Sequence, residues 1–497
     1  MRPRPKLPIC RVADGNWLFE SAVERIETDL CIVGAGSAGL SVAAGAAQMG
    51  ARTVLVERAR MGGDCLNVGC VPSKALIAAA QAAETIRRAG RFGVDGHEPE
   101  IDFAKVHAHV HDVIATIAPV DSAERYERLG ARVLNATARF VGPTTLETDA
   151  GQRIEARRVV VATGSRPAVP PVPGLDSVPY LTNETVFDAR TAPAHLIVLG
   201  AGPIGCELAQ AHRRLGCKVS LLDLGPILPK DDPELVEVLR ARLRADGVDL
   251  YEHVQVQRVE PDGNGVAVVL AGKDGPQRLE GSDLLVATGR RPVVDTLDLE
   301  QGGVAFDKSG LEVDAHLRSV SNAKVYGCGD VVGHYQFTHV ASYQASIVIK
   351  NVLFRWPAKV DYRAVPRVTY TDPEIAAVGP DEADARVRGA GLEVLRVPFR
   401  ENDRAVAERA TEGLIKLLVG KGGRVVGAGI AGAHAGELIG LWALAVHKKL
   451  KVGDVATMIA PYPTLGEISK RAAGAHYAPK LFGPGTHRLV RLLARLG

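Results

Sequence analysis

The sequence predicts an α/β fold, because one pattern of strand, glycine-rich turn, helix and second strand occurs twice along the 497 residues. The first copy covers residues 28–57 and the second covers residues 195–223. In each copy an acid follows the first glycine by 23 positions. Three glycines at this spacing permit a tight turn, close approach of the backbone to a pyrophosphate and close helix packing. We therefore expect two Rossmann-like domains, each binding one dinucleotide.

The first copy joins a strand at residues 28–33 to a helix of small residues at 40–49. The helix N-terminus offers free N–H groups to phosphates, and Glu57 stands where a ribose hydroxyl needs an acceptor. The residues that we predict to bind this nucleotide are Gly34, Gly36, Ser37, Ala38, Gly39 and Glu57.

The second copy also predicts which nucleotide it binds. Its acid, Asp223, would accept from a ribose 2′-hydroxyl and repel a 2′-phosphate. Residues 224–229 offer no arginine to hold such a phosphate, so NADH is favoured over NADPH. The predicted nucleotide-binding residues are Gly200, Gly202, Ile204, Gly205 and Asp223.

Cys65 and Cys70 lie between these copies, five positions apart. A disulfide needs Cα atoms within roughly 7 Å, so pairing requires a bend away from regular helix, which Gly69 permits. Pro72 suits the first turn of a new helix, and its N-terminus and Lys74 would both favour a thiolate at Cys70. A redox-active pair is one interpretation, and two buried reduced cysteines are the other.

Residues 62–74, GGDCLNVGCVPSK, closely resemble the redox signature of the class I pyridine nucleotide–disulfide oxidoreductases. This family includes dihydrolipoyl dehydrogenase, glutathione reductase and mercuric reductase, and the resemblance extends from about residue 28 to about residue 475. It implies FAD in the first nucleotide domain, NAD in the second, and a C-terminal α+β dimerisation domain. It also implies a homodimer whose active sites are shared across the interface.

The resemblance implies six segments in the chain. They are an N-terminal extension (1–27), the first part of the FAD domain (28–167), the NAD domain (168–292), the second part of the FAD domain (293–358), the dimerisation domain (359–480) and a tail (481–497).

The resemblance also implies roles for particular residues. Cys70 would face the flavin as a thiolate, Cys65 would exchange with substrate, and Glu207 would pair with Lys74. Further cofactor-binding residues are expected in the redox segment, at the two ATG turns and in the second flavin motif. These are Gly63, Asp64, Thr163, Gly164, Gly289, Arg291, Gly329, Asp330, Thr338, His339 and Ala341.

Tyr462 departs from the family motif His-Pro-Thr-x-x-Glu, which here reads Tyr462 to Glu467. In dihydrolipoyl dehydrogenase the histidine moves protons to and from thiols, and a tyrosine with a pKa near 10 is a poor base. Mercuric reductase carries tyrosine there, although it also has a vicinal cysteine pair, whereas the last cysteine in this sequence is Cys328. We expect a mercuric-reductase-like reductase of a metal ion or another small acceptor, with dihydrolipoyl dehydrogenase as the alternative.

Composition limits the partners and the location. A formal charge of +3 argues against nucleic acid, and the sequence has no run of about 18 apolar residues. Seven cysteines do not form a secreted disulfide framework, so we expect a cytoplasmic protein in which Cys10, Cys31, Cys206, Cys217 and Cys328 are reduced. His107 and His111 lack a third ligand, so no metal site is expected. Residues 487–496 predict an amphipathic helix that docks on its own domain, or alternatively contacts a membrane surface.

Overall fold

The computed structural model describes residues 24–272, 275–388 and 391–496. Its first part is a sheet flanked by helices. The elements are β1 (Glu24–Val33), α1 (Ser37–Gln48), β2 (Thr53–Glu57), α2 (Gly63–Asn67), α3 (Cys70–Arg88), α4 (Phe103–Ile117), α5 (Ala123–Arg128), β3 (Ala131–Asn135), β4 (Ala138–Gly142), β5 (Thr145–Thr148), β6 (Gln152–Val161) and β7 (Ser165–Pro167).

The strand order β3-β2-β1-β6-β5-β4 places β1 between the parallel strands β2 and β6. β1 begins earlier than expected, because its first residues pair with β6 from Glu24 opposite Gln152. Residues 24–27, which we placed in the N-terminal extension, therefore belong to the sheet. The rest of that extension, including Cys10, lies outside the described residues.

The second nucleotide unit forms where the sequence predicts it. Its elements are β8 (His195–Leu199), α6 (Pro203–Arg214), β9 (Lys218–Leu222), α7 (Pro233–Ala245), β10 (Asp249–Tyr251), β11 (Val256–Asp262), β12 (Gly265–Leu270), β13 (Gln277–Gly281), β14 (Asp283–Val286) and β15 (Arg290–Pro292). Strands β10-β9-β8-β14 form a parallel sheet, and β11-β12-β13 form an antiparallel sheet beside it.

The two segments that connect these units pair with each other. β7 and β15 form an antiparallel ribbon in which Arg290 stands opposite Pro167 and Pro292 opposite Ser165. The chain therefore leaves the first unit and returns to it at one place.

After its return the chain completes the first unit with β16 (Phe306–Asp307), β17 (Gly310–Leu311), β18 (Val325–Gly327) and α8 (Thr338–Leu353). β18 runs parallel to the end of β6, with Val325 opposite Val159. α8 shares an apolar core with α1, to which Ala345 and Val348 contribute buried side chains. This packing brings the start of α8 towards the first glycine turn.

The C-terminal part is an α+β domain, as expected. Its elements are β19 (Pro366–Thr369), β20 (Glu374–Val378), α9 (Glu382–Arg388), β21 (Glu393–Pro398), α10 (Asp403–Ala407), β22 (Leu414–Gly420), β23 (Arg424–Gly432), α11 (Ala435–Lys448), α12 (Val452–Ala456), α13 (Glu467–Ala475), α14 (Ala478–Leu481) and α15 (Pro484–Leu493). The strands form one antiparallel sheet in the order β19-β20-β23-β22-β21. Trp442 of α11 is fully buried in this domain, and its indole N–H donates to Ser469 Oγ at 3.1 Å.

The tail helix α15 does not dock on its own domain. Leu489 and Leu493 are each 54% exposed and Leu496 is 77% exposed, so our expectation of intramolecular docking was wrong. The helix forms because Pro484 occupies its first turn and leucines and arginines follow without interruption. Within the described ranges, no helix has both the length and the apolar character needed to cross a bilayer.

Candidate active site

The two glycine turns have the same geometry. Gly34 and Gly200 both have φ +106°, and a Cβ atom would lie 2.3 Å from Ala162 O at Gly34 and 2.5 Å from Ala287 O at Gly200. Any side chain would therefore collide with backbone as well as strain the turn. The repeat in the sequence is thus a repeat in structure, and each turn leads directly into a helix N-terminus.

The predicted acids hold these turns. Glu57 accepts hydrogen bonds from Ala35 N at 2.6 Å and Ala59 N at 2.8 Å. Asp223 accepts from Ala201 N at 2.7 Å and Gly225 N at 2.8 Å. Each carboxylate oxygen can accept a second hydrogen bond, so both acids retain capacity for a ribose hydroxyl. The residues of both turns fit the dinucleotides that the sequence implies.

The cysteine segment bends where the sequence requires it to. α2 ends at Asn67, and α3 begins at Cys70 after Gly69, whose φ is −132° and ψ −113°. Asn67 holds the bend because its side-chain amide donates to Met61 O at 3.0 Å and Gly63 O at 2.9 Å. Cys65 and Cys70 carry free thiols at the two sides of this bend.

The cysteine segment touches the first nucleotide turn. A Cβ on Gly63 would lie 2.6 Å from Gly36 Cα, and one on Gly329 would lie 2.8 Å from Ala38 Cβ. The same added Cβ on Gly329 would lie 3.6 Å from Ala341 Cβ of α8. The phosphate turn, the redox segment, the second flavin motif and α8 therefore meet around the start of α1. A flavin nucleotide bound at this turn fits a position beside the cysteines.

The surroundings of the two cysteines favour a thiolate on Cys70. Its pKa is lowered, chiefly because the Cys65 thiol donates a hydrogen bond to it. The Thr338 hydroxyl, 3.6 Å from Cys70 Sγ, and the positive charge of Lys74 lower that pKa further. The pKa of Cys65 is raised, first by its hydrogen bond to Cys70 and then by burial, although its bond to Ser37 opposes the shift.

The predicted pair Lys74–Glu207 forms, with Nζ and Oε2 2.7 Å apart. Glu207 is buried, and its other oxygen accepts from Tyr370 N at 2.9 Å. The Lys74 ammonium also lies 4.3 Å from the centre of the Tyr370 ring, within the range of a cation–π interaction. Lys74 belongs to the redox helix, Glu207 to the second unit and Tyr370 to the C-terminal domain, so this cluster joins three parts of the chain.

Arg290 is a site residue that sequence reasoning missed. Its guanidinium pairs with the Asp64 carboxylate, and its Nε donates to Ser165 Oγ at 2.7 Å. Ser165 Oγ in turn donates to Asp330 Oδ2 at 2.6 Å. Burial raises the pKa of Asp330, and the bond from Ser165 opposes that effect. Arg290 therefore links the redox segment to the second flavin motif.

Arg291, the residue of this strand that the resemblance implies as cofactor-binding, is exposed, and its role stays a prediction. Side chains alternate along a strand, so only one of two consecutive arginines can face the site. The pairing of β15 with β7 selects Arg290. Arg290 also donates to Asn183 Oδ1 at 3.3 Å, and Asn183 Nδ2 donates to Val68 O at 3.2 Å in the bend between the cysteines.

Three other residues that we predict to bind cofactor form hydrogen bonds where the chain passes between the two units. Thr163 Oγ1 donates to Val293 O at 2.7 Å, and Gly164 O accepts from Val293 N at 3.0 Å. Gly289 O accepts from Ala168 N at 2.9 Å. His339 stacks on Phe337 with ring centres 5.2 Å apart, and burial lowers the His339 pKa.

Tyr462 lies apart from the cysteine cluster. It is 69% exposed, and its hydroxyl donates to Asp403 Oδ2 at 3.0 Å in the same C-terminal domain. This hydrogen bond to a carboxylate raises the Tyr462 pKa above its ordinary value. Glu467 stands at the start of α13, five residues later. Within one chain, Tyr462 is thus held by a neighbour that keeps it protonated.

Comparison with known proteins places this geometry in a family. Residues 28–345 match the pyridine nucleotide-disulphide oxidoreductase family, and residues 365–473 match its dimerisation domain. A mercuric reductase from Streptomyces lividans is 36% identical over 456 residues, which cover 90% of this chain and 95% of that relative. A dihydrolipoyl dehydrogenase from Geobacillus stearothermophilus is 34% identical over 456 residues, which cover 90% of this chain and 96% of that relative.

A solved structure has the same fold. The Cu(II) complex of the HOCl-induced flavoprotein disulfide reductase RclA from Escherichia coli superposes with a TM-score of 0.80 at 26% identity. The match covers 89% of this chain and 99% of RclA. The paired nucleotide turns, the bent dithiol and the matched dimerisation domain agree with these relatives, and the chain belongs to the class I pyridine nucleotide–disulfide oxidoreductases.

Proposed function

We propose that this protein uses NADH to reduce a metal ion or another small acceptor through FAD and the Cys65–Cys70 pair, in the manner of a mercuric reductase. The observation that carries the choice of acceptor is the hydrogen bond from Tyr462 to Asp403. Tyr462 stands where the family's thiol-oxidising enzymes have a histidine, and this hydrogen bond favours its protonated form, which cannot act as a base.

The chain's own residues account for the dithiol chemistry. FAD, when bound, would supply the two-electron relay between NADH and the disulfide. Opening the Cys65–Cys70 bond takes up two electrons and one proton, and leaves a thiolate and a thiol. The lowered pKa of Cys70 and the raised pKa of Cys65 assign the thiolate to Cys70 and the proton to Cys65. Lys74, the α3 N-terminus and Thr338 hold the charge on Cys70.

Tyr462 makes thiol substrates unfavourable. A base that takes a proton from dihydrolipoamide must first be unprotonated, and phenols have an ordinary pKa near 10. Asp403 raises that pKa further, because the phenolate would stand beside a carboxylate. A positioned acid–base usually contributes roughly 10² to 10⁴ in rate. Reduction of a metal ion requires no proton transfer from a substrate thiol, so the lack of a base at this position should not slow it.

The relatives support a metal ion as one acceptor. The Streptomyces lividans relative is a mercuric reductase, and RclA has been solved in a Cu(II) complex. Both Hg(II) and Cu ions bind soft thiolate ligands well, which a reduced Cys65–Cys70 pair would supply. Dihydrolipoyl dehydrogenase remains the second candidate, because a relative of that function is 34% identical over almost the same length.

An acceptor panel with a Tyr462 series tests the proposal. Wild-type holoenzyme is given NADH with Hg(II), Cu(II) or a quinone, and NAD⁺ with dihydrolipoamide. We expect Tyr462→His to raise dihydrolipoamide oxidation by at least about tenfold and to leave metal-ion reduction within about twofold. Tyr462→Phe is the matched control, since it keeps the ring and removes the hydroxyl. It should not raise dihydrolipoamide oxidation.

The opposite pattern would favour the second candidate. If wild-type enzyme oxidises dihydrolipoamide as fast as it reduces its best other acceptor, and histidine brings no gain, another group supplies the base. The mercuric-reductase-like proposal would then be withdrawn.

A further inference from the structure

The segment after the dimerisation domain presents an amphipathic helix with an unpartnered apolar face. Leu489, Leu492, Leu493 and Leu496 recur at the three- and four-residue spacing that places them on one side of a helix. The amide of Leu496 bonds to the Leu493 carbonyl at 2.9 Å, so the helical turn continues past the end of α15. All four side chains are more than half exposed, and Phe482 just before the helix is 74% exposed.

One flank of the same helix is basic. Arg488, Arg491 and Arg495 also follow the three- and four-residue spacing, and they form a stripe about 120° around the helix from the leucines. No aspartate or glutamate follows Glu467, whereas six lysines and arginines do. The part of the chain after Glu467 therefore carries six positive and no negative side chains, whereas the whole chain has a formal charge of only +3. The salt bridges of the described chain include none to these three arginines.

We propose that this segment, residues 481–496, binds reversibly to the surface of an anionic lipid bilayer. A helix with these two sides lies in the plane of the interface, with its leucines among the upper acyl chains and its arginines against anionic headgroups. Phe482 adds an aromatic anchor at the same end. The surface would hold the enzyme beside the membrane whatever its electron acceptor is.

Charge complementarity selects a lipid surface over a second copy of the chain. A second copy could cover the leucines, but it would bring the same excess of positive charge and no acid from its own tail. Anionic headgroups supply the opposite charge, at about 1 kcal/mol for each nearby lysine or arginine, which is about fivefold in affinity. Three arginines therefore contribute on the order of 100-fold.

Vesicle sedimentation with full-length, FAD-loaded protein tests the proposal. The vesicles contain phosphatidylcholine alone, or phosphatidylcholine with about one third phosphatidylglycerol. We expect binding to the anionic vesicles only, and its loss as salt shortens the screening length to about 3 Å at 1 M. Replacing Arg488, Arg491 and Arg495 together with glutamine should weaken binding by on the order of 100-fold. Leu489→Glu with Leu493→Glu should abolish it.

A matched control keeps the total charge change equal. Arg139, Lys308 and Lys324 are exposed residues of the first unit, and replacing all three with glutamine should leave binding unchanged. NADH oxidation should be normal in every variant, which shows that each has folded. Equal binding to both vesicle types, or binding that survives both tail variants, would overturn the proposal. Dissociation of the dimer by the leucine substitutions, measured by sedimentation velocity, would also overturn it, because a second copy would then cover the leucines.

Discussion

At the scale of single residues, the charge on Cys70 is set by neighbours of opposite sign. Lys74 lowers the Cys70 pKa, whereas Glu207 raises it, and the hydrogen bond from Cys65 outweighs both. A lowered pKa means that the thiolate is present above that pKa and is lost as the pH falls through it. The pKa of Cys70 is lowered to about 6, below the value near 8.5 of free cysteine, so Cys70 should be mostly a thiolate at neutral pH.

We predict opposite pH shifts for two substitutions. The two-electron-reduced enzyme should show a long-wavelength absorbance that depends on the thiolate and disappears as the pH falls. Lys74→Met should move the midpoint of this loss to higher pH, because the positive charge is gone, and Glu207→Gln should move it to lower pH. Cys70→Ser, with FAD retained, should lack the absorbance throughout. Shifts of the same sign in both variants would mean that local damage, and not charge, moved the pKa.

Asp223 is a poor place for a test of nucleotide choice, since both of its oxygens hold the glycine turn. Leu224, the next residue, is 74% exposed and leaves those bonds intact. We predict that Leu224→Arg improves kcat/KM for NADPH by about tenfold, because an arginine there can pair with a 2′-phosphate. Steady-state kinetics with both nucleotides measures this, and Leu224→Gln is the uncharged control. A wild-type preference for NADPH would contradict the NADH assignment.

At the scale of elements, Arg290 holds the redox segment against the crossing ribbon. We predict that Arg290→Met lowers the free energy of unfolding by about 1–3 kcal/mol, since Asp64 and Ser165 lose a charged partner. The expected loss of stability is this small because the Asp64 side chain is partly exposed, so that solvent screens its ion pair with Arg290. Arg291→Met, one residue away and exposed, should change stability by less than about 0.5 kcal/mol. Urea unfolding of the two FAD-loaded variants gives the comparison, and equal losses would refute the assignment of Arg290.

The sequence predicted elements whose cause is local. The glycine turns and the bend at Gly69 follow from residues within a few positions, and the structure has all of them. It did not predict features that depend on distant pairing. β1 starts at Glu24 because β6 is beside it, and Arg290 faces the site because β7 sets the register of β15. The exposure of the tail helix was not predicted, for the same reason. An amphipathic pattern shows that one face of a helix is apolar, but it does not show what covers that face.

At the scale of the whole molecule, the position of Tyr462 matters. It is exposed on the domain that matches the family's dimerisation domain. If Tyr462 serves the dithiol of the partner subunit, a histidine at this position should act on the other chain's cysteines. We predict that an equal mixture of wild type with the double variant Cys70→Ser, Tyr462→His, after dissociation and reassociation, oxidises dihydrolipoamide at about a quarter of the rate of Tyr462→His, since half of the dimers then hold one site with an intact dithiol and a histidine. Wild type and the double variant, each reassociated alone, are the controls, and no gain in the mixture over wild type would contradict a shared site.

The ribbon of β7 and β15 bears on how such a protein is assembled over evolution. Because Pro167 and Arg290 stand opposite each other, the second nucleotide unit between them begins and ends at one point on the first unit. A segment with adjacent ends can be gained or lost, like a lengthened or shortened loop, without disrupting the domain that carries it. The first unit keeps its own sheet, which β18 completes after the chain has returned from the second unit. The second nucleotide unit is thus inserted into the first at a single point, and a two-residue turn from Pro167 to Arg290 would join β7 and β15 as a simple hairpin.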